Sequence, residues 1–233
     1  MISVIIPAYN GAEFLDSALQ SIDAQEFADR EIVLVDDGSV EELRPPAQVR
    51  CIRQPHSGPS AARNRGVRES RGEFLAFLDI DDLWAPGHLS RLHAALTANS
   101  QAGIAQGRMR QLSGHLISEP YRMPYIGSCV FRREAFDLSG GFDESMMLGE
   151  DHDLMYRCWE KDILKVHVEE VSLIYRRHAG NSSRGNNLRS HAMVLKRRLD
   201  RIRAGELDPS QQRRYPFRDY IGETEGASQW ATR

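Results

Sequence analysis

The stretch FLAFLDIDDLWAP, Phe74 to Pro86, ends a hydrophobic run on three acids, Asp79, Asp81 and Asp82. Like charges at such spacing repel, so the clustering needs a reason. Hard carboxylate oxygens grouped as Asp-x-Asp suit Mg²⁺ or Mn²⁺, and a dication held there could also bind a diphosphate. The bland alternative is a solvated loop in which Asp82 caps the next helix. Other candidates share this double reading. In VDDGS, Asp37 could accept hydrogen bonds from a base or a ribose, while Asp-Gly-Ser is also a good turn. SGPSAARNRG places Arg63 and Arg65 beside a glycine loop, with Arg63 suited to phosphate and Arg65 to the surface. GEDHDL offers Glu150, Asp151 and Asp153 at the start of a helix. One of these carboxylates could take a proton from a hydroxyl nucleophile, and Asp153 is read as a cap. His178, in YRRHAGNSS, could close over a metal as an imidazole ligand. Neither GxGxxG nor GxxxxGK[ST] occurs, which excludes the usual dinucleotide and P-loop sites.

The elements that must position these residues are legible as alternating periods. SVIIPA, EIVLV, VRCIRQ and EFLAFLD read as strands; AEFLDSALQSI, SAARNRGVRES and APGHLSRLHAAL read as helices, the last with Pro86 near its first turn. Strand–helix alternation implies a mostly parallel sheet covered on both faces. Ligands of such sheets bind beyond the carboxyl ends of the strands, which is where PAYNG, VDDGS and LDIDD fall. In the second half GSCVFRREAFDLSGGFDE reads as strand, short helix and glycine turn, and EDHDLMYRCWEK as a helix opening on acids. LKVHVEEVSLIYRRH reads as β structure. LRSHAMVLKRRLDRIRAG sets Leu188, Ala192, Leu195, Leu199 and Ile202 at helical spacing among basic residues. This stripe is expected to pack on the domain or on a second copy; the alternative is an anionic membrane surface. After Gly205 the chain reads as a loosely held polar tail.

Composition bounds the rest. The chain has 233 residues, 41% hydrophobic and 27% charged, with a formal net charge of −3. That balance argues against a nucleic-acid partner. No apolar run approaches the roughly 20 residues of a membrane span. The start, MISVIIPAYN, reads as a first strand and not as a signal peptide. Cys51, Cys129 and Cys158 are expected to be reduced core residues of a cytoplasmic protein.

Taken together and in order, SVIIPAYNG, EIVLVDDGS, HSGPSAARNRGV, GEFLAFLDIDDLWAPGHL, FDLSGGFDE, GEDHDLMYR and YRRHAGNSS resemble the family 2 glycosyltransferases, over roughly residues 1–183. The resemblance implies an α/β, Rossmann-like GT-A fold with a C-terminal helical extension. It divides the chain into a catalytic domain at 1–183 and a basic helix with a polar tail at 184–233. The nucleotide-sugar half would be about 1–100 and the acceptor half about 101–183. Pro7, Tyr9 and Asp37 would line the nucleobase pocket, and Arg63 would lie near the nucleotide. Asp79 would reach the ribose or the metal, Asp81 would be the main carboxylate for Mn²⁺ or Mg²⁺, and His178 would contact metal or diphosphate. Asp151 would deprotonate the acceptor hydroxyl. The expected activity is inverting transfer from a nucleotide-diphosphate sugar, a UDP-sugar, to a glycan, lipid-linked or other hydroxyl acceptor in polysaccharide, cell-envelope or glycoconjugate synthesis. The alternative is a non-catalytic nucleotide-sugar-binding partner subunit on the same fold. Processive relatives carry Gln-x-x-Arg-Trp; QQRRY, Gln211 to Tyr215, echoes it in part and ends in tyrosine. The expected place is cytoplasmic, with peripheral membrane contact or a homodimer through the basic helix.

Overall fold

The computed structural model describes residues 1–181 and 187–221, with side chains at 187–191 left out. The domain boundary expected near residue 184, the side chain of Leu188 and the tail from 222 fall outside what is described. Among the described residues nine strands form one sheet in the order β3-β2-β1-β4-β8-β6-β9-β5, with β7 paired to β6. β1 (Ile2–Ala8), β2 (Arg30–Asp36), β3 (Arg50–Arg53) and β4 (Phe74–Phe77) are parallel neighbours. Helices α1 (Ala12–Asp23) and α2 (Pro59–Glu69) alternate with them. β5 (Leu83–Trp84) and α3 (His88–Ala98) follow. β6 (Ala102–Ser113) and β7 (Leu116–Ile117) form a hairpin, and β8 (Cys129–Arg132) inserts antiparallel between β4 and β6. β9 (Leu164–Arg177) returns parallel to β6 and pairs antiparallel with β5. Six of the nine strands therefore run one way, and β5, β7 and β8 run against them.

β1 is buried at every position because both faces are covered. Ile2, Val4 and Ile6 pack with Leu15, Ala18, Leu19 and Ile22 of α1 and with Leu89, Leu92 and Leu96 of α3. Ile5 points the other way, with Leu75 and Phe77, onto Val67 of α2. The same layer holds residues of α4 (Arg133–Ser139) and α5 (Glu150–Glu160). Gly66 lets α2 approach closely: a Cβ there would stand 2.4 Å from Ile5 Cγ2. This two-sided burial holds β1, β2 and β4 in register, so their carboxyl ends share one rim.

Several expectations change. α3 begins at His88 behind Gly87, so Pro86 lies outside it, and β5 occupies the preceding residues. The long strand β6 was not anticipated; Gly103, Gly107, Arg108 and Arg110 interrupt its apolar alternation. Cys51 is exposed, whereas Cys129 and Cys158 are buried, and all three are free thiols. Burial pushes the two buried thiols up to about 12. The basic helix, α6 (Asn187–Arg203), does pack on the domain, but through a face beside the apolar stripe and not through the stripe's centre. Val194 is buried, while Leu195 and Leu199 stand 52% and 50% exposed. Arg197, Arg198 and Arg201 reach Asp143, Glu160 and Asp153 instead. The segment after Gly205 is not loose as far as residue 221. α7 (Phe217–Ile221) buries Tyr220 and Ile221. Phe217 stacks on Tyr156 at 3.7 Å between ring centroids, and Trp159 Nε1 donates to the Tyr215 carbonyl. Among the described residues no helix is long and apolar enough to cross a membrane.

Candidate active site

The rim is assembled from the ends of β1, β2 and β4 and the start of α5. At the end of β1, Asn10 takes a positive φ of 53°, which asparagine tolerates better than most residues. Its amide N–H donates to Ser39 Oγ, and its side-chain oxygen accepts from Val40 N–H. The first strand-end loop is thereby stapled to the second. Gly38 is required there: its φ is +81°, and a Cβ would stand 2.8 Å from the His56 backbone nitrogen.

Pro7 lies buried within β1, while Tyr9 beyond it is half exposed and stacks on His56 with centroids 4.1 Å apart. Asp37 is 3% exposed. Its Oδ1 accepts from Gln54 Nε2 and Ser57 N–H, and its Oδ2 from Gly58 N–H, with His56 Nδ1 at 2.9 Å. Both oxygens are therefore occupied by the loop before α2. Asp37 shapes that loop, and a ligand hydrogen bond to it must displace Gln54 or His56.

Arg63 is the hub. α2 carries it into the interior, where it is 3% exposed. Nη2 donates to Asp79 Oδ1 at 2.7 Å, Nη1 donates to Glu150 Oε1 at 2.8 Å, and Asp151 Oδ1 lies 3.7 Å away. Burial opposes its charge, but Asp79, Asp151 and Glu150 outweigh that and hold it still more firmly protonated. A buried guanidinium survives only when paired in this way. Arg65 is the surface residue expected, paired with Glu69 one turn on.

Beyond β4, oxygens of Asp79, Asp81 and Asp82 all fall within 4.8 Å of one another. Burial raises the Asp81 carboxyl, Asp79 adds to the rise, and His178 opposes it. His178 Nε2 lies 2.9 Å from Asp81 Oδ2, which also accepts from Asn181 Nδ2 at 3.2 Å. Asp82 caps no helix. It is fully buried, its Oδ1 accepts the Arg176 N–H at 2.9 Å, and its Oδ2 has no partner among the described residues. Burial, then Asp81 and Asp79, push its carboxyl well up. A bare buried carboxylate oxygen beside two further acids is a set of hard donors, and a divalent cation fits it.

Asp151 stands in the first turn of α5, entered through Gly149 in the left-handed region. It is 7% exposed; Oδ2 accepts the Ile126 N–H at 3.3 Å and Oδ1 has no hydrogen-bond partner among the described residues. Burial drives its carboxyl up to about 8; Arg63 opposes this, and Glu150 and Asp79 add to it. A carboxylate poised near neutrality with one free oxygen is suited to general-base work. Asp153 has another task. It is 1% exposed and bound by Arg157 Nε at 2.7 Å and Arg201 Nη1 at 3.3 Å, which ties α5 to α6. Tyr125, whose hydroxyl donates to Asp79 Oδ2 at 3.3 Å, escaped the sequence reading because nothing in YRMPYIG marks it. Asn181 was visible in the quoted YRRHAGNSS without a role assigned.

Comparison with known proteins bears on the family and the fold. The family described as "Glycosyl transferase family 2" matches residues 3–144. The glycosyltransferase EpsJ of Bacillus subtilis is 25% identical over 76% of this chain and 61% of its own length. Chondroitin synthase of Escherichia coli is 26% identical over 78% of this chain and 30% of its own length. The chain thus spans less than two thirds of these relatives. The crystal structure of S. aureus TarS 1-349 in complex with UDP-GlcNAc superposes with a TM-score of 0.70 at 18% identity, covering 89% of this chain and 67% of that one. The mannosyltransferase PcManGT of Pyrobaculum calidifontis, in complex with GDP-Man and Mn2+, gives 0.65 at 20% identity, covering 89% and 66%. With the family matched over more than half its length and the GT-A fold in place, the chain belongs to glycosyl transferase family 2.

Proposed function

We propose that this chain is a metal-dependent, inverting glycosyltransferase that moves a sugar from a nucleotide-diphosphate donor, a UDP-sugar, to an acceptor hydroxyl in cell-envelope or polysaccharide synthesis. The observation that carries the reading is the buried Arg63. It ties Asp79, at the end of β4, to Glu150 and Asp151 on α5 across one guanidinium. A donor acid and a free base oxygen are therefore held one side chain apart. Support for the donor comes from TarS, solved with UDP-GlcNAc, and from PcManGT, solved with GDP-Man and Mn2+. Support for the product class comes from matches to chondroitin synthase and to the minor teichoic acid biosynthesis protein GgaA of Bacillus subtilis.

In this reading Asp81 and Asp79 hold Mn²⁺ or Mg²⁺, with His178 and Asp82 beside them. When bound, the ion neutralises the charge that develops on the departing diphosphate. Tyr9 offers the half-exposed ring face for the nucleobase at the loop that Asp37 shapes. Asp151 accepts the proton of the acceptor hydroxyl as that oxygen attacks the anomeric carbon from the face opposite the leaving group. No nucleophile of the chain enters, so the configuration inverts. A panel of nucleotide sugars scored for UDP release, with and without Mn²⁺, tests the reading. Asp81→Asn should lose the Mn²⁺-dependent turnover by about a hundredfold or more. Undiminished turnover in that variant would remove Asp81 from the metal site.

A further inference from the structure

We infer that Tyr125 is a positioning residue for the donor side of this site, a role that rests on the glycosyl-transfer reading above. Its hydroxyl donates to Asp79 Oδ2 at 3.3 Å, while Arg63 holds the other oxygen, Oδ1, at 2.7 Å. The next residue, Ile126, gives its N–H to Asp151 Oδ2 at 3.3 Å, and Arg63 faces the other oxygen of that acid at 3.7 Å. Two consecutive residues therefore grip one oxygen of each acid, and one guanidinium faces the remaining oxygen of each. The donor acid and the candidate base come from distant parts of the chain, and the Tyr125–Ile126 step sets their spacing.

That step is firmly held. The Tyr125 ring meets Tyr175 of β9 edge-on, with centroids 5.4 Å apart at 72°. Its carbonyl accepts from the Ser128 hydroxyl at 2.8 Å and the Ser128 N–H at 3.1 Å. Ser128 Oγ in turn receives Gln106 Nε2 at 3.1 Å from β6. A phenol hydroxyl facing a carboxylate oxygen donates its hydrogen to it, so Tyr125 acts on Asp79 as a donor. An acid pinned by Arg63 alone could still turn its second oxygen about that bond. Tyr125 removes this freedom and presents Asp79 to the donor in one orientation.

Tyr125→Phe deletes a single oxygen and keeps the ring against Tyr175. Titration of Tyr125→Phe with UDP in the presence of Mn²⁺, followed by calorimetry, should show binding weakened about threefold to tenfold. The donor KM should rise by the same factor, with kcat changed by less than about twofold and the melting temperature unchanged. In an Asp79→Asn background the Phe substitution should add no further loss, since the group it acts through is already altered. Nucleotide affinity unchanged by Tyr125→Phe, a fall in kcat at constant KM, or full additivity with Asp79→Asn would each overturn the assignment. The wild-type titration separates the two readings: a wild-type chain that binds no nucleotide sinks the transferase function itself, whereas normal wild-type binding with an indifferent Phe variant sinks only Tyr125.

Discussion

Asp151 carries the largest consequence at the scale of single residues. Burial with one unpartnered oxygen makes its ionised form costly, and Arg63 at 3.7 Å only partly offsets the cost. The acid's folded-state value, about 8, lies above the value near 4 expected of an unfolded aspartate. Its contribution to stability is therefore complete below about pH 4 and is lost as pH rises through about 8. As a base it works only after losing that proton, so kcat/KM should climb with pH through the same range. Asp151→Asn separates the two effects. Transfer should fall by about a hundredfold or more while UDP binding persists. The melting temperature of the variant should gain on the wild type between pH 6 and pH 9, because the amide never ionises. A constant difference across that range would show that Asp151 is not held protonated. Retained transfer would remove it as the base.

Between elements, the attachment of α6 shows which interactions decide a docking. Helical spacing drew attention to Leu195 and Leu199, yet the structure turns them outward and seats the helix through Val194 and three arginines. The reason lies in the partner surface. Asp153 and Glu160 of α5 are buried carboxylates, 1% and 7% exposed, and need cations more than α6 needs to hide two leucines. Arg201 meets Glu160 with Nε and Nη2, at 3.0 and 3.1 Å. Arg201→Met should therefore destabilise the protein by about 2 kcal/mol, chiefly through Glu160, which keeps only Arg198 at 3.8 Å, while Asp153 retains Arg157. Leu199→Ser should change stability by less than about 0.5 kcal/mol. Urea unfolding of both variants checks the contrast, and the reverse ranking would restore the apolar stripe as the contact. The same physics marks what was legible in the chain. Strands β1, β2 and β4, the helices between them and the acids at their ends announced themselves, because two-sided burial writes unbroken apolar runs that stop at the rim. β6 did not, since its glycines and arginines lie in a strand whose outer half is only partly covered. Asp82 and Asp153 looked like caps because spacing alone cannot reveal that Arg176 or Arg157 lies beside them. Tyr125 was invisible for the same reason: its meaning depends on Asp79, which the fold brings to it from the loop beyond β4.

For the whole molecule, the balance of buried titratable groups sets the range of pH over which the fold is safe. His88 is fully buried, stacked on Trp84 at 4.3 Å, and neither ring nitrogen has a hydrogen-bond partner among the described residues. Burial, with Arg91 adding to it, drives its value down to about 3. His167 is driven to about 4 by burial and by Lys165 and Arg122. An unfolded chain would take up protons at both sites near pH 6.5, while the folded chain refuses them. Stability is thus intact above about pH 6.5 and is lost as pH falls, by about 1.4 kcal/mol per pH unit for each histidine. The raised acids Asp81, Asp82 and Asp151 act in the opposite sense and weaken the fold as pH rises. Replacing His88 isolates one arm. Phenylalanine keeps a flat ring against Trp84 and has nothing to protonate. Urea unfolding at pH 6.5 and pH 5 should show the wild type losing about 1.6 kcal/mol more than His88→Phe over that interval. Any loss from a tighter fit of the larger ring appears equally at both pH values, so it leaves this difference untouched. Equal losses in the two proteins would mean that His88 takes its proton in the folded state, and that the stack on Trp84 opens to admit it.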